Sequence, residues 1–79
     1  MNTKKNQVIA EPTKLGILVK EKRKELGLKQ AEAAALCKVG TRFLSDLENG
    51  KDSLHIGKVF SVLNGLGLNL FMGEKGRIV

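Results

Sequence analysis

The side chains best suited to chemistry lie between Gln30 and Lys51, in the run QAEAAALCKVGTRFLSDLENGK. Thr41, Arg42, Ser45 and Asp46 fall at i, i+1, i+4 and i+5, which gathers them on one side of a short helix. Their chemistry is recognition. Arg42 offers a planar fork of donors that matches a guanine edge, and Thr41 suits a phosphate or a thymine methyl. Ser45 is compatible with several partners. Asp46 can accept from a cytosine amine or position Arg42. Lys29, Lys38 and Lys51 flank the same segment as candidate phosphate contacts, and Gln30 opens a helix whose first amides can face a phosphate. Any one of these residues also suits an ordinary solvated surface; it is the whole face, with cations beside it, that fits groove reading.

Bond-making chemistry has no comparable constellation. There is no paired-carboxylate set, no nucleophile with its base and no phosphate-cradling glycine loop. The single histidine, His55, has no companion for a metal site and reads as a surface residue. The single cysteine, Cys37, excludes an intrachain disulfide and a thiolate zinc site, and reads as a small core residue. No enzymatic activity, metal or cofactor is expected.

The recognition face needs elements to hold it. A chain of 79 residues makes one small domain, and its net charge of +6 suits a polyanionic partner. A first helix is predicted over residues 14–26, capped by Thr13, with Leu15, Leu18, Val19 and Leu26 inward and Gly27 as its stop. Lys20, Lys22, Arg23 and Lys24 crowd its C-terminal half, where the helix dipole favours cations. A second helix, Gln30–Cys37, meets a break at Lys38-Val39-Gly40, and a third, Thr41–Glu48, ends at Asn49-Gly50. Leu44, Leu47 and Val39 face inward. Helices this short are unstable alone and must be pressed together. Ser53 is the expected cap of a fourth helix running to residue 65, with Ile56, Val59, Phe60 and Leu63 as its stripe and Leu66 closing it.

After Gly67 the period changes. Leu68, Leu70 and Met72 alternate with Asn69 and Phe71, as in a strand. A lone strand is unstable in water, and nothing else in the chain clearly reads as its partner. Pairing with the same strand of a second subunit is the economical solution, with Leu68, Leu70, Phe71 and Met72 at the interface. Arg77-Ile78-Val79 is either a short returning strand or a tail. The division is thus a polar arm at 1–12, a helical domain at 13–67 and a strand with tail at 68–79. No apolar run reaches membrane-spanning length and no secretory signal opens the chain, so a cytosolic, nucleoid-associated location is expected.

The segment KEKRKELGLKQAEAAALCKVGTRFLSDLENGK resembles the lambda-repressor-like (Cro/C1-type, XRE-family) helix-turn-helix domain, a likeness extending over roughly residues 15–66. RFLSDLENGK followed by IGKVFSVLNGLGLNL further resembles the HipB-like antitoxins, small repressors paired with Hip-type kinase toxins. The resemblance implies a mainly α bundle of four or five short helices, with a C-terminal β-strand pairing across a dimer. It implies Gln30, Thr41, Arg42, Ser45 and Asp46 at DNA-facing positions, and Arg23 with Glu48 as a partly buried ion pair. The implied function is a dimeric, sequence-specific repressor on a palindromic operator. It would neutralise a serine/threonine kinase toxin and autoregulate its operon. The alternative is a phage-type repressor or a restriction–modification controller without a toxin partner. Four departures bear on stability: Lys29 replaces the usual hydroxyl cap, Lys38 and Gly40 replace Gly and Ser in the turn, Ala33 replaces Leu, and Phe43 replaces a small polar residue.

Overall fold

The structure, a computed structural model, describes residues 7–76. They form an all-α arrangement in chain order α1 (Pro12–Glu25), α2 (Gln30–Cys37), α3 (Thr41–Glu48) and α4 (Ile56–Gly65). α3 packs on α1 and on α2, and α4 packs on α2. The two eight-residue helices therefore have the longer ones as walls.

Two helix starts differ from expectation. α1 begins at Pro12 after Glu11, so Thr13 lies inside the helix and does not cap it. Proline suits the first turn because its missing N–H has no intrahelical partner there. α4 is capped by His55 and not Ser53: the imidazole Nδ1 accepts from the Lys58 amide at 3.3 Å. At the start of α2, Lys29 offers no side-chain acceptor, but the Glu32 carboxylate accepts its amide at 2.8 Å. One half of a capping box thus survives without a hydroxyl.

All four helices end in the same way. Gly27, Lys38, Gly50 and Gly67 take left-handed backbone conformations. The next residue then reaches back to the helix in the bonds Leu28→Arg23, Val39→Ala34, Lys51→Asp46 and Leu68→Leu63, between 2.8 and 3.1 Å. In this termination the residue making that bond is commonly apolar and packs inward. Leu28, Val39 and Leu68 do so against the core. Lys51, the fourth, does not.

Lys38 is the only non-glycine left-handed residue described, at φ 60°, as the break in the sequence foreshadows. A β-carbon there costs roughly 1–2 kcal/mol, part of which glycine's greater unfolded freedom offsets. Lys38→Gly should raise the unfolding free energy by roughly 0.5–1 kcal/mol in urea titrations. An unchanged or lowered midpoint would show that the turn carries no such strain.

The core consists of Val19, Ala33, Ala34, Cys37, Leu44, Leu47, Val59, Val62, Leu63 and Leu66. Leu26, Ile56 and Phe60, expected inside, are exposed, while Val62 is fully buried. The stripe of α4 is rotated from the expected one because α2 presents a shallow wall of small residues. The Cys37 Sγ lies 3.6 Å from the Val62 carbonyl oxygen, and a β-carbon on Gly65 would come within 2.6 Å of that sulfur. So close a contact admits valine at the seam and leaves the Phe60 ring at the flank.

Among the described residues of this single chain, 68–72 form no strand ladder. Leu68 packs on its own core, whereas Leu70, Phe71 and Met72 are exposed. Lys4 and Lys5 of the arm, and the Arg77-Ile78-Val79 segment, lie outside the described residues.

Candidate nucleic-acid interface

α3 is fastened from behind by an ion pair. Arg23 Nε donates to Glu48 Oε2 at 2.6 Å and Arg23 Nη2 to Glu48 Oε1 at 3.0 Å. The third guanidinium nitrogen, Nη1, donates to the Leu28 carbonyl at 2.8 Å. That carbonyl is delivered by the α1 termination, since the Leu28 amide is bonded to the Arg23 carbonyl at 3.1 Å. Side-chain exposure is 9% for Arg23 and 1% for Glu48, so the pair is more deeply buried than the resemblance implies. The hydrogen bonds that Arg23 donates to Glu48 raise its pKa above the arginine value; burial opposes this, and the Glu48 charge adds to it.

Gln30 joins this network. Its Nε2 donates to Glu48 Oε1 at 3.1 Å, tying the first residue of α2 to the last of α3. The amide nitrogen of a residue expected to face DNA is thus engaged in holding the two helices together. The anion at the start of α2 is the chain's own Glu32, which suits the positive end of the helix dipole.

A second fastening has no side chain at all. A β-carbon on Gly16 of α1 would lie 2.7 Å from the Glu48 carbonyl oxygen and closer still to that of Leu47. The backbone of α1 therefore runs directly against the carboxyl end of α3. The sequence carries a faint signal of this, because glycine inside a helix costs about 1 kcal/mol relative to alanine and implies a compensating contact. Gly50 is similarly confined, with a β-carbon there meeting the Thr13 Cα at 2.9 Å.

On the outer side, Thr41 and Arg42 are exposed and Ser45 and Asp46 half-buried. Lys29, Lys38 and Lys51 are exposed around them. Asp46 does not pair with Arg42: its Oδ2 faces Lys51 Nζ at 3.6 Å. Arg42 has no ion-pair partner among the described residues, so its guanidinium is available to a ligand. Phe43 is half-buried against the core, with the Lys58 ammonium 6.0 Å from its ring centroid. It is an edge-packing residue. Cys37 is 3% exposed, and burial pushes its thiol pKa up, which disfavours the reactive thiolate.

Two short helices joined by a tight turn, the second exposed along a polar and cationic side and anchored from within, define a helix-turn-helix DNA-binding class. The chain belongs to the helix-turn-helix family HTH_3, whose profile matches residues 19–71. It is 47% identical over 62 residues to the uncharacterised HTH-type transcriptional regulator y4mF of Sinorhizobium fredii (strain NBRC 101917 / NGR234), a match covering 78% of this chain and 82% of that protein. It is 53% identical over 38 residues to the ImmF control region 10 kDa protein of Bacillus phage phi105, covering 48% of this chain and 42% of that one. The structure of a HipA–HipB–O2–O3 complex contains a similar chain, with TM-score 0.81, 27% identity and coverage of 89% of this chain and 99% of that one. The restriction–modification controller C.AhdI from Aeromonas hydrophila shares the fold at TM-score 0.66 and 21% identity, over 73% of this chain and 84% of that one. The family and these relatives make the chain a transcription regulator and not an enzyme.

Proposed function

We propose that the chain is a sequence-specific repressor that binds a palindromic operator as a dimer, reading each half-site with α3. The observation behind this reading is the outer side of α3, where the unpaired Arg42 stands on a helix fixed by the buried Arg23–Glu48 pair. Thr41, Ser45 and Asp46 complete the reading face. Gln30 sits at its edge, and Lys29, Lys38 and Lys51 supply phosphate contacts. Residues 68–72 pair with the same segment of a second copy, covering the exposed Leu70, Phe71 and Met72. A two-fold pair reading a palindrome needs its two reading helices about one turn of DNA apart, near 34 Å. The arm, with Pro12 taken into α1, precedes the reading domain, and the regulator works in the cytosol beside its DNA. No helix of the described residues is long and apolar enough to cross a membrane.

The test is selection of bound sequences from a random duplex pool, followed by titration of the selected duplex. Two chains should bind per duplex. Arg42→Ala should weaken binding by about 1–3 kcal/mol, roughly 5- to 150-fold, and relax preference at one base pair. Unchanged affinity and preference would remove Arg42 from the reading face.

An antitoxin role is favoured over that of a restriction–modification controller by the extent of the HipB match. It takes in 99% of the HipB chain, and a HipB–O4 20mer complex gives TM-score 0.80 with the same coverage. In this reading the chain also binds and neutralises a Hip-type serine/threonine kinase and autoregulates its operon. Co-purification with the product of an adjacent kinase-like gene tests it; absence of such a gene removes most of its support.

A further inference from the structure

We infer that Asp46 and Lys51 form a specificity switch at the end of the reading helix: the Asp46 carboxylate holds the Lys51 ammonium back from DNA phosphates until an amino group in the major groove engages that carboxylate. The inference rests on the DNA-reading assignment of α3.

The pairing is built into the backbone. Lys51 donates its amide to the Asp46 carbonyl at 3.0 Å, just after left-handed Gly50, and Gly50 donates to Leu47 at 3.1 Å. This fixes the two residues side by side before their side chains meet at 3.6 Å. At the other three helix ends the equivalent residue is Leu28, Val39 or Leu68, which packs on the core. Only at α3 does a lysine stand there, and the inward apolar contact is replaced by an ion pair on the outer surface. Both side chains are solvent-accessible, at 30% for Asp46 and 50% for Lys51. An exposed pair of this kind contributes little to stability, so folding does not account for it.

Its electrostatic effect on DNA is larger. Asp46 follows Arg42 by one helical turn, so the helix that presents Arg42 to bases also carries a carboxylate toward the groove. On a random sequence that carboxylate meets phosphates and base acceptors and repels them, while occupying the nearest cation. Where a cytosine N4 or adenine N6 amine falls in register, Asp46 gains a donor. Lys51 is then released to a phosphate. The wrong sequence is thus penalised twice, by repulsion and by a withheld cation, which is how specificity is obtained from a difference of affinities.

The experiment measures binding of the full chain to its selected duplex and to a random-sequence duplex across a salt series, by fluorescence anisotropy. Asp46→Asn preserves shape and the backbone bond, and thermal melts confirm that it folds. On random duplex Asp46→Asn should tighten binding about tenfold at low salt and steepen the log–log salt slope by about 1, the signature of one added phosphate contact. Its preference for the selected duplex should fall by about tenfold. Lys51→Ala should reduce the slope by about 1 on the selected duplex and leave the random-duplex slope unchanged. In the Lys51→Ala background, Asp46→Asn should no longer steepen the random-duplex slope. An Asp46→Asn slope equal to wild type, or steepening that persists without Lys51, would overturn the switch while leaving DNA reading in place. A wild-type chain that binds neither duplex would overturn the DNA reading itself, and the switch with it.

Discussion

Arg23→Ala should lower the unfolding free energy by about 3–5 kcal/mol, because it leaves the Glu48 carboxylate buried without its main partner. Glu48 has 1% side-chain exposure, and among the described residues only the Gln30 amide would still donate to it. A chain of 79 residues has roughly 4–12 kcal/mol of stability in all, at the usual value per residue. The variant should therefore melt far below wild type, and urea titration should find a substantial unfolded fraction near zero denaturant. Glu48→Gln should also be costly. Arginine does not shed its proton, so in this variant the guanidinium would remain charged and buried beside a neutral amide. The paired change Arg23→Met with Glu48→Leu should recover most of the loss, since a buried ion pair offers little net advantage over well-packed apolar groups. A loss below about 1 kcal/mol for Arg23→Ala would show that water reaches the pair. The functional consequence lies in α3: Glu48 is its last residue, so loosening the pair frees the end of the reading helix.

That ion pair shows how much of the architecture the residues announce. Arg23 and Glu48 lie 25 positions apart, and no periodicity joins them; only the family resemblance pairs them. The bounds of α2 and α3 follow from local signals, because Lys38-Val39-Gly40 and Asn49-Gly50 interrupt the chain sharply. The start of α4 is less legible. Ser53 and His55 can both cap a helix, and the choice depends on Gly57, where a β-carbon would come within 3.0 Å of the imidazole. Phe60 and Val62 illustrate the limit of pattern reading: either fits a stripe with Val59, Leu63 and Leu66, and the small residues of α2 decide between them. The exposed residues of the reading face follow directly from helical phase, but their partners do not. Asp46 is within reach of both Arg42 and Lys51, and the geometry of the α3 termination selects Lys51.

Gly16→Ala should destabilise the fold by about 1–3 kcal/mol even though alanine is favoured in a helix by about 1 kcal/mol. The new methyl would fall on the Leu47 and Glu48 carbonyls, which are backbone atoms of α3 and cannot rotate aside as a side chain does. Either α1 moves outward or the last turn of α3 shifts. An outward α1 lengthens the Arg23–Glu48 bonds, now 2.6 and 3.0 Å, so the two fastenings of α3 fail together. A shifted α3 turn moves Asp46 and Lys51 relative to Arg42. Both routes weaken operator binding beyond what the unfolded fraction explains, which titration at a temperature well below the melt can separate. Gly57→Ala in α4 is the matching control. Its methyl would meet only the His55 ring, at 3.0 Å from Cε1, and an exposed side chain can swing away. Swinging away forfeits the His55 cap, worth about 0.5–2 kcal/mol. The helical preference of alanine over glycine, about 1 kcal/mol, largely offsets this, so the net cost should be small and DNA binding intact. If Gly16→Ala instead proves as stable as wild type, the approach of α1 to α3 is looser than the backbone places it, and Arg23 alone anchors the reading helix.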